Sequence, residues 1–259
     1  MDDIAKFNEK MWDGYAAQKS EYTQPWLELR RSLVEDFAAG RIDPMPRPYM
    51  YIYPQYIFEN LEGKDVLCLA GGGGQQTAVF GLLGANVTSY DLTQGQLDYD
   101  REAARKHGYP ITTVKGDMRD LSALADRSFD LVYHPISLPF VPDTLPVYRE
   151  VHRVLRSGGF YRVGHIMPGV SLIDEDSWTG EGYVQKRPYG PGEVPDCDCR
   201  EFQHLLPDMF NKLIDCGFAI CSVHEDPRHL HPIENAKPGT WDHMQGFVMQ
   251  YFCVVAKKS

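Results

Sequence analysis

The sequence predicts an α/β fold, built on a doubly wound, mostly parallel seven-stranded sheet whose last strand is antiparallel. From residue 65 onward, short apolar runs alternate with amphipathic segments, a pattern typical of parallel strands joined by helices. The first run, DVLCLA, is apolar at nearly every position, as expected for a strand buried on both faces. A run of four glycines follows it directly, where such sheets turn from strand into helix.

The remaining elements follow from the same pattern. The predicted strands are, in chain order, DVLCLA (65–70), ANVTSY (85–90), ITTV (111–114), FDLVYH (129–134), FYRVGHI (160–166), FAICSV (218–223) and GFVMQYFCVVA (246–256). The predicted helices cover residues 75–83, 94–108, 143–155 and 201–216. Right-handed crossovers through these helices give the doubly wound arrangement.

The domain organisation is predicted as residues 1–64, an N-terminal helical and aromatic extension, and residues 65–259, the main Rossmann-like domain. In the extension, apolar residues recur at helical spacing, namely Trp26, Leu27, Leu29, Leu33, Val34 and Phe37, and Gly40 is the predicted stop. A connector over residues 42–56 is rich in proline and tyrosine, and its rings are either hydrophobic cover or substrate-facing aromatics. Residues 167–200 are a Gly- and Pro-rich insertion after the fifth strand, and loops of that length are usually functional or disordered.

Composition and charge narrow the function classes. The chain has 259 residues, with 26 basic and 36 acidic side chains and a net charge of −10. Because Lys and Arg supply most non-specific affinity for nucleic acid, this balance disfavours nucleic acid as a partner. No apolar run reaches the ~18 residues of a membrane helix, and the first residues lack the features of a secretory signal. We therefore expect a cytoplasmic protein without membrane contact, and its oligomeric state stays open.

The six cysteines are few for this length, and in the absence of a secretory signal we expect reduced thiols. Cys197 and Cys199 form the only close pair. A soft-metal site would need further ligands, and no second cluster stands at zinc spacing. The sequence therefore favours two ordinary loop thiols and no metal site.

The glycine run and a downstream acid carry the strongest functional signal. Asp91 ends the second strand, 17 residues after Gly74. Ligands of open parallel sheets bind beyond the carboxyl ends of the strands, where glycines let them approach the backbone. An acid at this position can bind both hydroxyls of an adenosine ribose. The dinucleotide fingerprint G-x-G-x-x-G fails, since its third glycine would be Gln76 or Thr77. A P-loop lysine is absent as well.

With these residues, the chain resembles the class I S-adenosylmethionine-dependent methyltransferases over roughly residues 60–257. The matching motifs are VLCLAGGGG, Tyr90-Asp91-Leu92, Gly116-Asp117-Met118, FDLVYHPIS and REVHRVLRSGGF. The chain is most similar to bacterial small-molecule enzymes with a GGGQQ first motif. The resemblance implies S-adenosyl-L-methionine as cofactor and the following contacts to it: Ala70, Gly71, Gly72, Gly73, Gln75, Asp91, Leu92, Asp117, Met118 and, mostly through its backbone, His134.

The sequence departs from the family pattern at two positions. Cys68 stands where an acid often helps to orient the methionine end of the cofactor, and Ala70 replaces the first glycine of the motif. The partner of the cofactor's ammonium group is then unassigned, with backbone carbonyls near Ala70 and the carbonyl of His134 as candidates. Ala70 costs little if the turn there has a negative φ.

Structural alternatives exist for the same side chains. Asp91 is either a ribose ligand or a helix cap for the segment that begins at Thr93. Asp117 either contacts adenine or closes a turn after Gly116. Gln75 and its neighbour are either cofactor contacts or first-turn polar groups of the next helix.

On the substrate side, the N-terminal segment and the insertion are expected to cover the site. Tyr15 and Tyr22 are candidates for ligand contact, by cation–π attraction to the sulfonium, or they dock the N-terminal helices on the sheet. His165 lies at the carboxyl end of the fifth strand and is the candidate catalytic residue, as a general base. The alternative for His165 is an anchor for the insertion.

The sequence thus leads to a metal-independent methyltransferase that acts on a small metabolite at an O, N, S or C atom by in-line displacement. The alternative is a non-catalytic S-adenosylmethionine-binding partner or sensor protein, which the replacement of the acid by Cys68 keeps open. A short-chain oxidoreductase is disfavoured because the sequence lacks both the dinucleotide fingerprint and a Tyr-x-x-x-Lys base.

Overall fold

Strands and helices alternate as the sequence predicts in the computed structural model, which describes residues 1–195 and 197–259. The strands are β1 (Asp65–Leu69), β2 (Asn86–Asp91), β3 (Ile111–Lys115), β4 (Phe129–His134), β5 (Leu155–Ile166), β6 (Gly192–Val194), β7 (Glu201–Gln203), β8 (Phe218–Glu225) and β9 (Tyr251–Lys258). The helices are α1 (Asp3–Ala17), α2 (Arg31–Ala38), α3 (Gln76–Leu82), α4 (Gln94–His107), α5 (Leu145–Val154), α6 (Leu206–Asp215), α7 (Pro227–Leu230) and α8 (Trp241–Met244).

Seven of the described strands form one sheet in the order β3-β2-β1-β4-β5-β9-β8. The pairs from β3 to β5 are parallel, and β9 runs antiparallel to both β5 and β8. The prediction of a mostly parallel sheet with an antiparallel last strand is confirmed. The strand order reverses between β1 and β4, and ligands of open sheets bind in the crevice beyond such a point.

The side-chain alternation along each strand builds two separate cores. One sheet face carries Cys68, Tyr133 and Val255 and packs against α3, α4 and residues 26–61; we call it the N-terminal face. The opposite face carries Val132 and Tyr161 and packs against α5 and α6. Because successive residues of a strand point to opposite faces, a shift of one position decides which core a side chain enters.

The N-terminal extension is helical, as predicted, and it adds to the first core. Val34 and Phe37 of α2 are fully buried there, and Phe58 stacks on Phe80 of α3 with ring centroids 5.2 Å apart. Trp26 and Leu29 precede α2 in turns, so the helix begins later than the apolar spacing indicates. The boundary between domains at residue 64 stays a prediction.

Two predicted elements are shorter in the structure. Residues 201–216 were expected to form one helix, but Glu201–Gln203 pair with Gly192–Val194 as a small hairpin and α6 begins at Leu206. Proline in the first turn explains this start, because its missing N–H and fixed φ suit that position. The last strand begins at Tyr251 and not at residue 246, since residues 246–248 turn back onto α8.

Candidate active site

A cavity of about 320 Å³ opens at the carboxyl edge of the sheet, where the strand order reverses. Its floor is formed by the residues that follow β1, β2, β3 and β4, and its cover by α1 and the connector. The predicted site residues in its wall are Ala70, Gly71, Gly72, Gln75, Asp91, Leu92, Asp117, Met118 and Tyr22. The fold therefore brings most of the predicted cofactor contacts together at one cavity.

The glycine loop lies against the cavity without side chains of its own. A Cβ at Gly72 would lie 2.5 Å from Gln75 Oε1, and one at Gly71 would lie 2.8 Å from Gln76 Oε1. Gly73 lies outside the cavity wall, because its N–H donates to Gln96 Oε1 at 2.7 Å and the loop turns into α3 there. The loop is thus a backbone surface that a ligand can approach closely.

Ala70 does not meet the condition of a negative φ under which it would cost little. Its φ is +49°, in the left-handed region, while its N–H donates to the carbonyl of Tyr90 at 2.8 Å. That hydrogen bond continues the β1–β2 pairing by one residue and turns the chain into the loop. An L-residue in this region costs about 1–2 kcal/mol, so the alanine is a strained replacement for glycine.

Gln75 ties the loop to the N-terminal cover. Its side-chain Nε2 donates to the carbonyl of Gln24 at 3.1 Å and lies 3.5 Å from that of Tyr22. Tyr22 also lines the cavity, with 63% of its surface exposed. Gln75 thus joins the two walls of the cavity, although it was expected only as a cofactor contact or a first-turn polar group.

Asp91 is almost fully buried in the cavity wall. Its Oδ1 accepts hydrogen bonds from the N–H and the hydroxyl of Thr93, at 2.8 and 2.9 Å. Burial raises the pKa of Asp91 to about 7, against the opposing effect of the two Thr93 hydrogen bonds. Oδ2 has no hydrogen-bond partner within the described residues.

Asp117 is held by an arginine that also binds the N-terminal helix. Arg119 donates from Nη2 to Asp117 Oδ2 at 2.6 Å, and from Nη1 to Asp2 Oδ2 at 2.7 Å. Asp2 is the N-cap of α1 and accepts from the N–H of Ala5 at 2.9 Å. The adjacent Met118 lines the cavity beside Asp117. The guanidinium of Arg119 therefore connects Asp117 to α1, which covers the cavity.

Helix α1 lies across the cavity and contributes Ala5, Asn8 and Trp12, three residues of one helix face, to its wall. Asn8 is buried and donates to the carbonyls of Phe140 and Arg200, at 3.3 and 3.0 Å. Tyr15 points away from the wall, because its hydroxyl donates to Asp198 Oδ2 at 3.0 Å. Of the two predicted tyrosines, the structure places Tyr22 in the wall and Tyr15 on the insertion.

Comparison with known proteins decides the family. A protein-family model described as "Methyltransferase domain" matches residues 67–163. The "Uncharacterized methyltransferase YbaJ" of Bacillus subtilis is 35% identical over 239 residues, which cover 87% of this chain and 92% of that protein. The chain belongs to the S-adenosylmethionine-dependent methyltransferases.

Solved structures of methyltransferases share its fold. An S-adenosylmethionine dependent methyltransferase from Mesorhizobium loti matches with a TM-score of 0.62 and 22% identity over 76% of this chain and 92% of that chain. A 1,6-didemethyltoxoflavin-N1-methyltransferase from Burkholderia thailandensis matches with a TM-score of 0.55 and 18% identity, over 88% and 87% of the two chains. The prediction of an enzyme of this family is confirmed, and S-adenosyl-L-methionine is its cofactor.

The cavity of this methyltransferase fits that cofactor. Gly71 and Gly72 line the cavity with backbone alone, and a Cβ at either position would collide with Gln76 or Gln75. The unpartnered Oδ2 of Asp91 can accept from hydroxyl groups. Trp12 adds a buried indole N–H without a hydrogen-bond partner. The donor set and the shape of the wall thus suit a nucleoside with a polar tail.

The side chains of His134 and His165 do not line the cavity. His134 is fully buried on the opposite face, with its ring nitrogens 2.7 Å from Tyr161 Oη and 2.6 Å from Ser137 Oγ. Burial lowers its pKa to about 3. Its carbonyl already accepts from a guanidinium, that of Arg162, at 3.3 Å. This argues against the His134 carbonyl as partner of the cofactor's ammonium group, because the two cations would repel each other.

His165 also enters the opposite core. It is 1% exposed, stacks on Phe252 with ring centroids 5.1 Å apart, and does not line the cavity. Burial, followed by the smaller electrostatic effects of His134, His204 and Arg162, lowers its pKa to about 3. The strand period of two explains the placement, since His165 lies three residues from Arg162, whose side chain is on the N-terminal face. This position argues against the prediction that His165 contacts the substrate.

The cavity wall also contains residues that the sequence motifs do not indicate, among them Tyr133, Arg162 and Asp226. The signal for Arg162 was present, since a charged residue stands inside the apolar strand FYRVGHI and charged side chains are seldom fully buried without a function or a partner. The sequence left open whether the connector tyrosines are hydrophobic cover or face the substrate. In the structure, Tyr49 packs on Trp26, whereas Tyr51 and Tyr53 line the cavity.

Within residues 1–195 and 197–259, no group of three or more His, Cys, Asp or Glu side chains is placed to hold a metal ion. In the same part of the chain, no helix has the length and apolar character needed to span a membrane.

Proposed function

We propose that this methyltransferase transfers a methyl group to a small organic molecule enclosed in the cavity. The observation that carries the proposal is the cover formed by α1 and the connector over the strand ends. Asn8 fastens α1 to the rim through two half-buried hydrogen bonds, and Arg119 does so through an exposed one. A polymer substrate would have to displace this helix, whereas a small molecule fits beneath it. The net charge of −10 also disfavours nucleic acid.

The wall suggests how the cofactor is held. Asp91 Oδ2 would accept from the ribose hydroxyls, and its buried carboxylate makes such charge-assisted bonds strong. Asp117 and the N–H of Met118 would contact the adenine edge. The loop at Gly71 and Gly72 would receive the amino acid end. When bound, the cofactor supplies an activated methyl group on sulfur.

The remaining wall suggests how the acceptor is held. The aromatic residues Trp12, Trp26, Tyr51, Tyr53 and Phe140 line the cavity and offer flat surfaces at which a planar molecule can stack. Displacement at a methyl group depends mainly on alignment, and positioning is worth up to ~7–11 kcal/mol. We propose that the protein contributes alignment and exclusion of water. One structural neighbour was crystallised with 1,6-didemethyltoxoflavin and S-adenosylhomocysteine bound.

Ligand-induced stabilisation tests the proposal. S-adenosylhomocysteine at one hundred times its Kd stabilises the native state by about 2.7 kcal/mol, which a thermal melt resolves. NAD is the control and should produce no shift. Turnover is then measured by mass spectrometry with pools of small metabolites, with duplex DNA and with peptides. Methylation confined to DNA or peptides would overturn the small-molecule proposal, and absence of a shift with S-adenosylhomocysteine would overturn the cofactor site.

A further inference from the structure

Arg162 is a buried cation in the wall of the cavity. It lies within β5 and is 2% exposed. Nε donates to the carbonyl of Tyr53 at 3.1 Å, and Nη1 to the carbonyl of His134 at 3.3 Å. Within the described residues, Arg162 forms no ion pair with a carboxylate, and its side chain also contacts the thiol of Cys253. Burial of a guanidinium without an anion is costly, so a structural role alone gives a poor account of it.

The guanidinium is held at the cavity by its neighbours. It lies between two rings, 4.6 Å from the centroid of Tyr53 and 4.6 Å from that of Tyr133. A Cβ at Gly164 would lie 3.1 Å from Arg162 Nη1. Because residues 162 and 164 share a face, the side chain runs over Gly164 towards the carboxyl edge of β5. The two rings and the glycine therefore fix the orientation of the cation.

The carboxylate of Asp226 acts on Arg162 electrostatically but forms no ion pair with it. Asp226 follows β8, is 1% exposed and also lines the cavity. Both of its oxygens accept from Arg228, with Nε at 2.8 Å from Oδ1 and Nη2 at 2.7 Å from Oδ2. Asp226 thus gives both of its oxygens to Arg228, and within the described residues Arg162 has no carboxylate in a salt bridge of its own.

Tyr53 adds a hydrogen-bond donor beside this charge. It is 4% exposed, lines the cavity, and its hydroxyl has no hydrogen-bond partner. Burial raises the pKa of Tyr53 well above its ordinary value, so the hydroxyl stays protonated. A buried donor without a partner is unfavourable, and a ligand oxygen would remove that cost.

We propose that Arg162 and Tyr53 bind a carboxylate group of the methyl acceptor, so that the substrate class is planar or aromatic carboxylic acids. A guanidinium matches a carboxylate in charge and geometry. A single guanidinium without a salt bridge suits a monoanion better than a phosphate dianion, because the same wall also carries the acids Glu21, Asp91, Asp117 and Asp226. The aromatic wall holds the body of the molecule. This inference rests on the proposed function and names its substrate.

The placement favours the acceptor over the carboxylate of the cofactor. Asp91 belongs to β2 and Arg162 to β5, which are three strand spacings or about 14 Å apart across the sheet. The glycine loop follows β1, between them. A cofactor bound at Asp91 and at the loop leaves β5 for the second ligand. The experiment separates these two carboxylates.

Matched acids and amides test the proposal on the full chain. Benzoate is compared with benzamide, and 4-hydroxybenzoate with 4-hydroxybenzamide, by calorimetry and saturation-transfer NMR, with and without S-adenosylhomocysteine. We expect each acid to bind at least tenfold more tightly than its amide. Arg162→Met should abolish this preference and leave the affinity for S-adenosylhomocysteine within threefold. The variant Arg162→Lys, which keeps the charge, should retain part of the preference.

A second pair of variants keeps the test independent of folding. Tyr53→Phe removes only the unpartnered hydroxyl, so it should melt at or above the temperature of the unmodified protein and weaken the acids at least threefold. Tyr148→Phe, a buried tyrosine outside the cavity wall, should leave acid binding unchanged.

Three results would overturn the proposal. The first is equal binding of acids and amides, or no binding of either. The second is an acid preference that survives in Arg162→Met. The third is a tenfold loss of S-adenosylhomocysteine affinity in Arg162→Met. The last result would assign Arg162 to the cofactor. If S-adenosylhomocysteine does not bind the unmodified protein, the proposed function fails, and the acid preference measured without it still decides this inference.

Discussion

Asp91 holds Thr93 through one carboxylate oxygen. Oδ1 accepts both the N–H and the hydroxyl of Thr93, at 2.8 and 2.9 Å, while Oδ2 has no partner within the described residues. The turn before α4 therefore needs one oxygen, and the other remains for a ligand. The two sequence-based interpretations of Asp91, local cap and ribose ligand, are compatible within one side chain.

The first prediction separates these two roles with Asp91→Asn. The amide oxygen can still accept from Thr93, so the melting temperature should stay within a few degrees. Loss of the charge weakens hydrogen bonds to hydroxyl groups, each worth about 1.5–3 kcal/mol, so S-adenosylhomocysteine affinity should fall at least tenfold. Isothermal titration calorimetry gives the affinity. Asp98→Asn, an exposed acid on α4, is the control, and unchanged affinity in Asp91→Asn would show that Asp91 is only a cap.

The second prediction concerns pH. Burial raises the pKa of Asp91 to about 7 in the free protein, so the carboxylate that would bind the ribose forms only as the pH rises through that value. Affinity for S-adenosylhomocysteine should therefore increase from pH 6 to pH 8. Asp100, whose pKa is raised to about 6 by burial, titrates nearby.

Variants assign that pH dependence to one group. Asp91→Asn should remove the step near pH 7, whereas Asp100→Asn should retain it. Binding curves measured at half-unit intervals decide between them. A step that disappears only in Asp100→Asn would transfer the effect to Asp100.

The third prediction concerns the link between Arg119 and Asp2. Arg119→Ala removes the hydrogen bonds that join the α1 cap to Asp117. Hydrogen–deuterium exchange of residues 3–17 should increase several-fold, and S-adenosylhomocysteine should bind at least threefold more weakly because Asp117 loses its positioning partner. The control is Arg101→Ala, which breaks a more exposed pair with Asp98. Equal exchange in α1 for the two variants would contradict a fastening role of Arg119.

The fourth prediction concerns His165. Its Nε2 is buried without a partner, and its ring stacks on Phe252. His165→Leu fills a similar volume and removes the unpartnered nitrogen, so the melting temperature should stay equal or rise. His165→Ala should lower stability by about 2 kcal/mol or more through the cavity it creates.

Kinetics complete that test once a substrate is known. His165→Leu should keep kcat/KM within threefold, because the side chain lies on the face of the sheet opposite the cavity. A tenfold loss of kcat/KM with an unchanged melting temperature would restore His165 as a catalytic residue.

The sequence by itself determined the sheet and the cofactor edge. Apolar runs are long-range signals of burial, and the strand order of a doubly wound sheet follows from chirality and connection rules. The carboxyl ends of parallel strands meet at one edge, so the glycine loop, Asp91 and Met118 come together wherever the exact ends of the strands fall. These features depend on local pattern and on topology alone.

Only the tertiary structure decided the substrate side. His165 and Arg162 belong to the same strand, and both follow from the sequence as residues near its carboxyl end. Which of them reaches the cavity depends on the phase of the strand against its two covering layers, and a shift of one residue exchanges the faces. That phase is set by packing against the connector on one side and α5 and α6 on the other. Both residues stand in FYRVGHI, but only the fold placed the arginine at the cavity and the histidine in the opposite core.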